Sequence, residues 1–266
     1  MLKNKLVKEK SKKKSIHPLP IYRLFPSIIT IMALCAGLTS IRYGFDHKWE
    51  HSMLLLIIAA FLDVMDGRVA RYLQVTSDFG AQIDSLADFL NFGIAPAITL
   101  YLWTLHTIPT KGIGWGFVLV FVVCCAIRLA RFNAMLHTVK ERHQWQESFF
   151  VGIPSTIGGI MVTLPLMMSI EWPEIQLMEY PKSIGCYMIL IAFAMASRIP
   201  TFSIKKLSIA QDKVALVLAL TGLLIAALLI KPWITISAVS ALYILSIPIS
   251  IRIYYKRLKQ HKTDII

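Results

Sequence analysis

Apolar runs long enough to cross a ~30 Å hydrocarbon layer as a helix recur along almost the whole 266-residue chain. Inside such a layer every backbone N–H and C=O must find its partner within the protein, which leaves helices and closed barrels as the only spanning structures. Runs of this length, without the alternation of a strand, select the helix. The sequence therefore predicts an all-α integral membrane protein with about eight transmembrane helices, near residues 24–44, 51–72, 83–105, 113–135, 154–170, 183–197, 213–230 and 233–253. A hydrophobic fraction of 56%, only 16% charged residues and a mean hydropathy of +0.62 exclude the ordinary soluble class.

The formal charge of +13 would suit a nucleic-acid partner, but Lys and Arg gather at the ends of the apolar runs instead of forming a patch interleaved with aromatics. A membrane surface is the expected partner, and no nucleic acid. Placing the N-terminus in the cytoplasm leaves only Arg42, Lys48, Lys111, Lys182 and Lys231 among the basic residues on the far side, as the positive-inside rule requires. The expected product is a multi-pass protein of the cell inner membrane with both termini in the cytoplasm. Residues 3–14 hold seven lysines against one glutamate, and residues 1–15 read as a disordered basic tail. A signal peptide competes for that stretch, but the following apolar run is long and lacks a small-residue cleavage site. Residues 255–266 read as a second basic tail. Cys35, Cys124, Cys125 and Cys186 show no metal or disulfide spacing and are expected as small buried hydrophobes.

Across the end of the second run and the start of the third lie four carboxylates, Asp63, Asp66, Asp84 and Asp88. Each pair, spaced three or four residues apart, falls on one face of a helix, one turn apart. Carboxylates beside lipid are costly, and like charges that close repel, so the arrangement implies cations between them: a divalent metal site. Ordinary polar residues in a loop between helices are the competing reading. Around the acids, Gly67 and Ala70 leave a shallow face that another group can approach closely, and the fork of donors on Arg71 suits phosphate oxygens. Farther on, Arg128 and Arg131 share a helix face and suit an anionic group, a phosphate or a carboxylate; charge anchoring is the alternative, as it is for Arg198 and Lys205.

The string from Asp63 to Asp88 fits D-x-x-D-G-x-x-A-R-x8-G-x3-D-x3-D, with Asp63, Asp66, Gly67, Ala70, Arg71, Gly80, Asp84 and Asp88 at the fixed positions. It resembles the signature of the CDP-alcohol phosphotransferases. Flanking strings, D-S-L-A-D-F-L-N-F-G-I-A-P-A, R-L-A-R-F-N, F-F-V-G-I-P-S-T and S-R-I-P-T-F-S-I-K-K, are similar to the phosphatidylserine synthase branch of that family. There are departures: Ser27 stands where the branch's L-P-N-x-x-T entry has asparagine, and Thr156 where F-x-G-L-P-S-P has its last proline. The resemblance implies a helical catalytic bundle over residues 16–206 and two additional helices over 207–254. It also implies transfer of a phosphatidyl group from CDP-diacylglycerol to an alcohol, with L-serine as acceptor and CMP released, in a homodimer.

On the same resemblance, Asp63, Asp66, Asp84 and Asp88 would hold Mg2+ or Mn2+, as a pair of ions. Asp88 would be the catalytic base, Asp63, Gly67, Ala70, Arg71 and Ser77 would contact the nucleotide, and Ser155 would join Arg128, Arg131, Arg198 and Lys205 as substrate or phosphate contacts. For Ser77, capping of the third helix is an equal reading. The signature alone leaves inositol, glycerol 3-phosphate and choline open as acceptors. A divalent-cation transporter and a lipid-binding scaffold stand as readings of other classes; a transporter is expected to carry carboxylates on both sides of the midplane, and here they sit at one end.

Overall fold

The computed structural model describes residues 24–75, 77–136, 149–202 and 214–263. The expected N-terminal tail and Lys205 lie outside them. The chain enters through α1 (Phe25–Phe45), with Pro26 in the first turn where its missing N–H costs nothing. A three-residue connection leads into α2 (Trp49–Tyr72). The two helices pack along their length through small side chains: Thr30, Ala33, Ala36, Gly37, Ser40 and Gly44 are buried on α1, and Ser52, Ala59 and Ala60 on α2. Much of the apolar bulk points outward instead, among it Ile31, Leu38, Leu54 and Phe61, while Met53 and Leu56 turn inward. This inversion is what a lipid solvent produces, because small residues let helices close while apolar bulk costs nothing at the lipid face.

The third apolar run is one path in three pieces: α3 (Asp78–Phe89), a π-helical turn over Leu90–Ile94, and α4 (Ala95–Trp103). Pro96 has no N–H to give to the preceding turn, and the Ala95 N–H reaches back five residues to the Leu90 carbonyl. Hydroxyls of Ser40, Ser52 and Thr99 line up at 3.1 and 3.5 Å and join α1, α2 and α4 in the interior. Next comes α5 (Ile113–Leu136), packed against α8 (Pro181–Ala196), where Gly185 leaves room for the Phe117 ring.

Between them, the expected single span at 154–170 is two helices, α6 (Ser155–Val162) and α7 (Leu164–Glu171). Pro165 falls in the first turn of α7, so the chain cannot carry one unbroken ladder through Thr163. Short strands β1 (Phe149–Val151) and β2 (Pro200–Phe202) pair antiparallel, Val151 opposite Pro200, at the end of the bundle that carries α6's N-terminus. The last two helices are α9 (Val214–Ile230) and α10 (Pro232–Thr263). No residue of α9 is buried, and its packing partner is α10, which in turn rests on α7 and β2. Lys231 donates to Glu171 at 2.6 Å, fastening the start of α10 to the end of α7.

By length and composition, Phe25–Phe45, Asp78–Trp103, Ile113–Met135 and Pro232–Leu258 can cross a membrane, with Pro181–Ala196 and Val214–Ile230 as shorter apolar helices. The chain is thus an all-α membrane protein, as its composition predicts. Two further expectations need correction. Residues 255–263, expected as a tail, continue α10. Cys124 and Cys125 are buried as expected, but Cys35 and Cys186 lie exposed on the outer faces of α1 and α8, where a small apolar thiol is equally at home against lipid.

The crossing of α6 over the π-helical turn is close: a Cβ on Gly159 would lie 2.8 Å from the Phe92 Cα and 2.9 Å from its carbonyl oxygen. Gly159→Ala is expected to destabilise the protein by about 1–3 kcal/mol through overpacking, read as a lower unfolding midpoint in detergent. Gly116→Ala, where a Cβ meets nothing within 4 Å, should leave the midpoint unchanged or raise it.

Candidate active site

The four aspartates come from two helices that α1 holds side by side. Asp63 and Asp66 occupy the last turns of α2, and Asp84 and Asp88 lie along α3. Helix α3 starts where it does because Ser77 is its N-cap: the Ser77 hydroxyl accepts from the Gly80 N–H at 3.0 Å. A Cβ at position 80 would stand 3.0 Å from that hydroxyl, a tight contact. The capping reading of Ser77 is therefore met in the structure, while the hydroxyl's own proton stays available to a ligand.

Asp66 is 4% exposed, and its Oδ2 accepts from the Thr30 hydroxyl of α1 at 2.5 Å. Asp63 lies within hydrogen-bonding reach of the Asp88 carboxyl and of the Thr156 hydroxyl on α6. Asp84 feels the charges of Asp66 and Asp63, and Asp88 those of Asp63 and Asp84. Asp88 Oδ1 is buried with no hydrogen-bond partner. Two carboxyls in contact need a shared proton or a cation, and a buried carboxylate oxygen without a donor needs the same. As the side chains stand, no three Asp, Glu, His or Cys groups among the described residues converge on one point. Yet the all-oxygen donor set and the orphaned Asp88 oxygen fit a hard divalent cation.

On the rim, Gly67 is open: nothing lies within 4 Å of where its Cβ would be. Ala70 follows three residues later on the same helix. Exposed Arg71 gives its Nε to the Gly67 carbonyl at 3.0 Å, which aims the remaining guanidinium donors past the end of α2.

The two arginines of α5 are tied to the main chain. Arg128, 8% exposed, donates Nε to the Ile153 carbonyl at 2.6 Å and Nη1 to the Ser155 hydroxyl at 3.0 Å, with its charge felt at Asp88. Arg131 donates to the Ala196 and Ser197 carbonyls at 2.9 and 3.0 Å, capping the C-terminus of α8. Arg128 and Ser155 are thus brought to the acidic cluster as one unit, whereas Arg131 is spent on α8, and Arg198 lies exposed just beyond that helix. Nearby, Asn133 donates to the Ser85 hydroxyl at 2.9 Å, linking α5 to α3 beside Asp84.

Three contributors escape the sequence reading: Thr30, Thr156 and Asn133. Thr30 carries a signal, because it is the threonine of the L-P-N-x-x-T-like entry. Thr156 is noted there as a departure and assigned no role, and only the fold brings α6 against α2.

A family model described as CDP-alcohol phosphatidyltransferase matches residues 23–199, and one described as CDP-alcohol phosphatidyltransferase 2 matches residues 213–248. A protein of Mycobacterium leprae named CDP-diacylglycerol--serine O-phosphatidyltransferase is 37% identical over 233 residues, covering 86% of this chain and 75% of the relative. One of the same name from Mycobacterium bovis is 34% identical over 235 residues, 86% of this chain and 79% of that one. Another, from Helicobacter pylori, is 32% identical over 187 residues, 70% of this chain and 75% of that one.

Thr30→Val leaves Asp66 Oδ2 buried without its donor. The expected cost is about 1–3 kcal/mol of stability, with Mn2+ affinity lowered as well, whereas Thr30→Ser should retain both; thermal unfolding with and without Mn2+ reads the two effects together.

Proposed function

Because the chain belongs to the CDP-alcohol phosphatidyltransferase family, we propose that it transfers the phosphatidyl group of CDP-diacylglycerol to the hydroxyl of L-serine, giving phosphatidylserine and CMP. The observation that carries this reading is that Asp63 of α2 reaches the Asp88 carboxyl of α3, with Asp66 and Asp84 near enough for their charges to act on the pair. Three relatives named for the serine reaction support the choice of acceptor. The same chemistry with inositol, glycerol 3-phosphate or choline is the second reading, since the family as a whole uses several alcohols.

The serine hydroxyl attacks the lipid-side phosphorus, the bond from that phosphorus to the bridging oxygen breaks, and CMP leaves with that oxygen. Asp88 takes the hydroxyl proton as the bond forms. Its buried, unpartnered oxygen suits that task. Asp63, Asp66, Asp84 and Asp88 would hold the divalent metal that the family uses, in our reading two ions of Mg2+ or Mn2+, which supplies positive charge against the diphosphate and the departing CMP. The open notch at Gly67 and Ala70 receives the cytosine face, and Arg71 and Ser77 donate to the nucleotide's phosphates and ribose. Arg128 with Ser155 forms the cationic wall nearest Asp88, placed to receive an acceptor's carboxylate. Throughout, the acyl chains stay in lipid, which the outward Leu, Ile and Phe faces accommodate.

We assign the catalytic bundle to residues 16–206 and an accessory pair to 207–254. The acidic end and both termini are assigned to the cytoplasmic side of the inner membrane, on the distribution of Lys and Arg, and the working assembly is a homodimer.

In purified protein with Mn2+, CMP release from CDP-diacylglycerol is expected with serine and at least tenfold slower with inositol, glycerol 3-phosphate or choline. Turnover confined to another alcohol would replace the acceptor; release with none of them would contradict the reaction. Asp88→Asn should lower turnover by a factor on the order of 10² to 10⁴ while nucleotide binding persists, measured by equilibrium binding of CDP. A near-normal rate in that variant would remove Asp88 from its role as base.

A further inference from the structure

A second concave site lies at the opposite end of the bundle. Fourteen residues of α2 separate Trp49 from Asp63, a rise of about 21 Å. There, the turn from α1 to α2 and the first turn of α2 place His47, Lys48, Trp49, Glu50 and His51 in sequence, and together with Trp103 they line a cavity of about 380 Å³. That volume is in the range of small-ligand sites. His47 holds a left-handed backbone, φ 56°, as the residue that follows the C-cap of α1, where the Lys48 N–H closes on the Tyr43 carbonyl at 3.0 Å.

The lining has two signs of charge over an apolar floor. Lys48 Nζ stands 5.9 Å from the centre of the Tyr43 ring; its charge is felt at Asp46, which pairs with Arg42, and Lys48 itself enters no ion pair among the described residues. The Glu50 carboxylate likewise has neither ion pair nor hydrogen bond there. The imidazoles are fixed by rings, His47 edge-on to Trp49 at 5.5 Å and His51 stacked on Tyr43 at 5.3 Å. Beneath lie Trp103, 2% exposed, and Leu166, fully buried. Tryptophans gather at the level of lipid headgroups, so the cavity sits where a headgroup sits.

Each part restricts the occupant. Lys48 calls for an anionic group, while Glu50 calls for a cationic one. The place of the cavity at the end of the spanning helices, beside Trp49, sets its occupant at headgroup level, and an anionic lipid would set its charge against Glu50. A phospholipid whose headgroup carries both a phosphate and an amine meets these conditions. We propose that this cavity binds the headgroup of a zwitterionic, amine-bearing phospholipid from the leaflet opposite the carboxylate end, with Lys48 on the phosphate and Glu50 on the amine. This does not depend on the reaction assigned above.

The test is thermal unfolding of the purified full-length protein in detergent, titrated with phosphatidylethanolamine, phosphatidylglycerol or free phosphoethanolamine. Phosphatidylethanolamine is expected to raise the midpoint at lower concentration than phosphatidylglycerol, and phosphoethanolamine to leave it unmoved. In Glu50→Gln the ratio of the two lipid affinities should fall to one, and in Lys48→Gln both lipids should bind more weakly. CMP release under saturating substrates should persist in both variants, since neither side chain approaches the acidic cluster. Equal response of the unmodified protein to the two lipids, an undiminished preference in Glu50→Gln, or a full shift from phosphoethanolamine alone would each overturn the proposal.

Discussion

Four carboxylates near enough to feel one another's charge at the edge of a low-dielectric helical bundle are the constraint to which the rest of this structure answers. Two unit charges 4 Å apart repel by about 4 kcal/mol at the effective dielectric of a protein surface, so the acids would drive α2 and α3 apart unless something opposed them. Two kinds of opposition are visible. Donors are supplied one by one: the Thr30 hydroxyl to Asp66, and Arg128 as the nearest buried cation to Asp88. The helices themselves are locked away from the acids, through the small-residue face between α1 and α2 and the Ser40, Ser52 and Thr99 hydroxyls. What remains uncompensated is the contact of Asp63 with Asp88 and the bare Asp88 oxygen. A fold that tolerates this remainder is one whose working state includes positive charge there.

The elements around the site act as its frame. The π-helical turn lets the third path of the chain pass Pro96 without losing contact with α6, whose Gly159 lies against the Phe92 backbone. α6 in turn presents Ser155 and Thr156 toward the acids at its N-terminus. Its entry is fixed from two directions: Arg128 grips the Ile153 carbonyl, and the Gly152 N–H donates to the Ile199 carbonyl at 2.8 Å. Gly152 adopts φ 76°, and a Cβ there would meet the Met195 carbonyl at 2.6 Å, so only glycine makes this turn. Arg131 ties the end of α8 to the same region. The loops at this end are thus built on α5, while α9 adds hydrophobic surface without entering the core.

Much of this was legible in the residues because membrane spans advertise themselves by length and composition. The apolar runs fall on helices, and the interruptions at Asn91, Gly93 and Pro96 mark the π-helical turn. The signature spacing also puts the acids on two helix faces. Spacing along a helix does not reveal which neighbour it faces. Hence Thr30 as a donor to Asp66 and Thr156 beside Asp63 were invisible until α1 and α6 were in place. For Arg131 the partners are main-chain carbonyls more than sixty residues away, which no side-chain pattern encodes. The break at Thr163 needed only Pro165 to be given its weight, and the exposed cysteines show that a lipid face accepts a thiol as readily as the interior does.

The central claim is that the uncompensated negative charge at the ends of α2 and α3 is a site for divalent cations. Anomalous diffraction from crystals grown with Mn2+ tests it most directly. The account predicts manganese peaks bounded by the carboxylates of Asp63, Asp66, Asp84 and Asp88, with the Asp88 oxygen that now lacks a partner turned toward one of them. Saturating Mn2+ with no peak among these four side chains would contradict it.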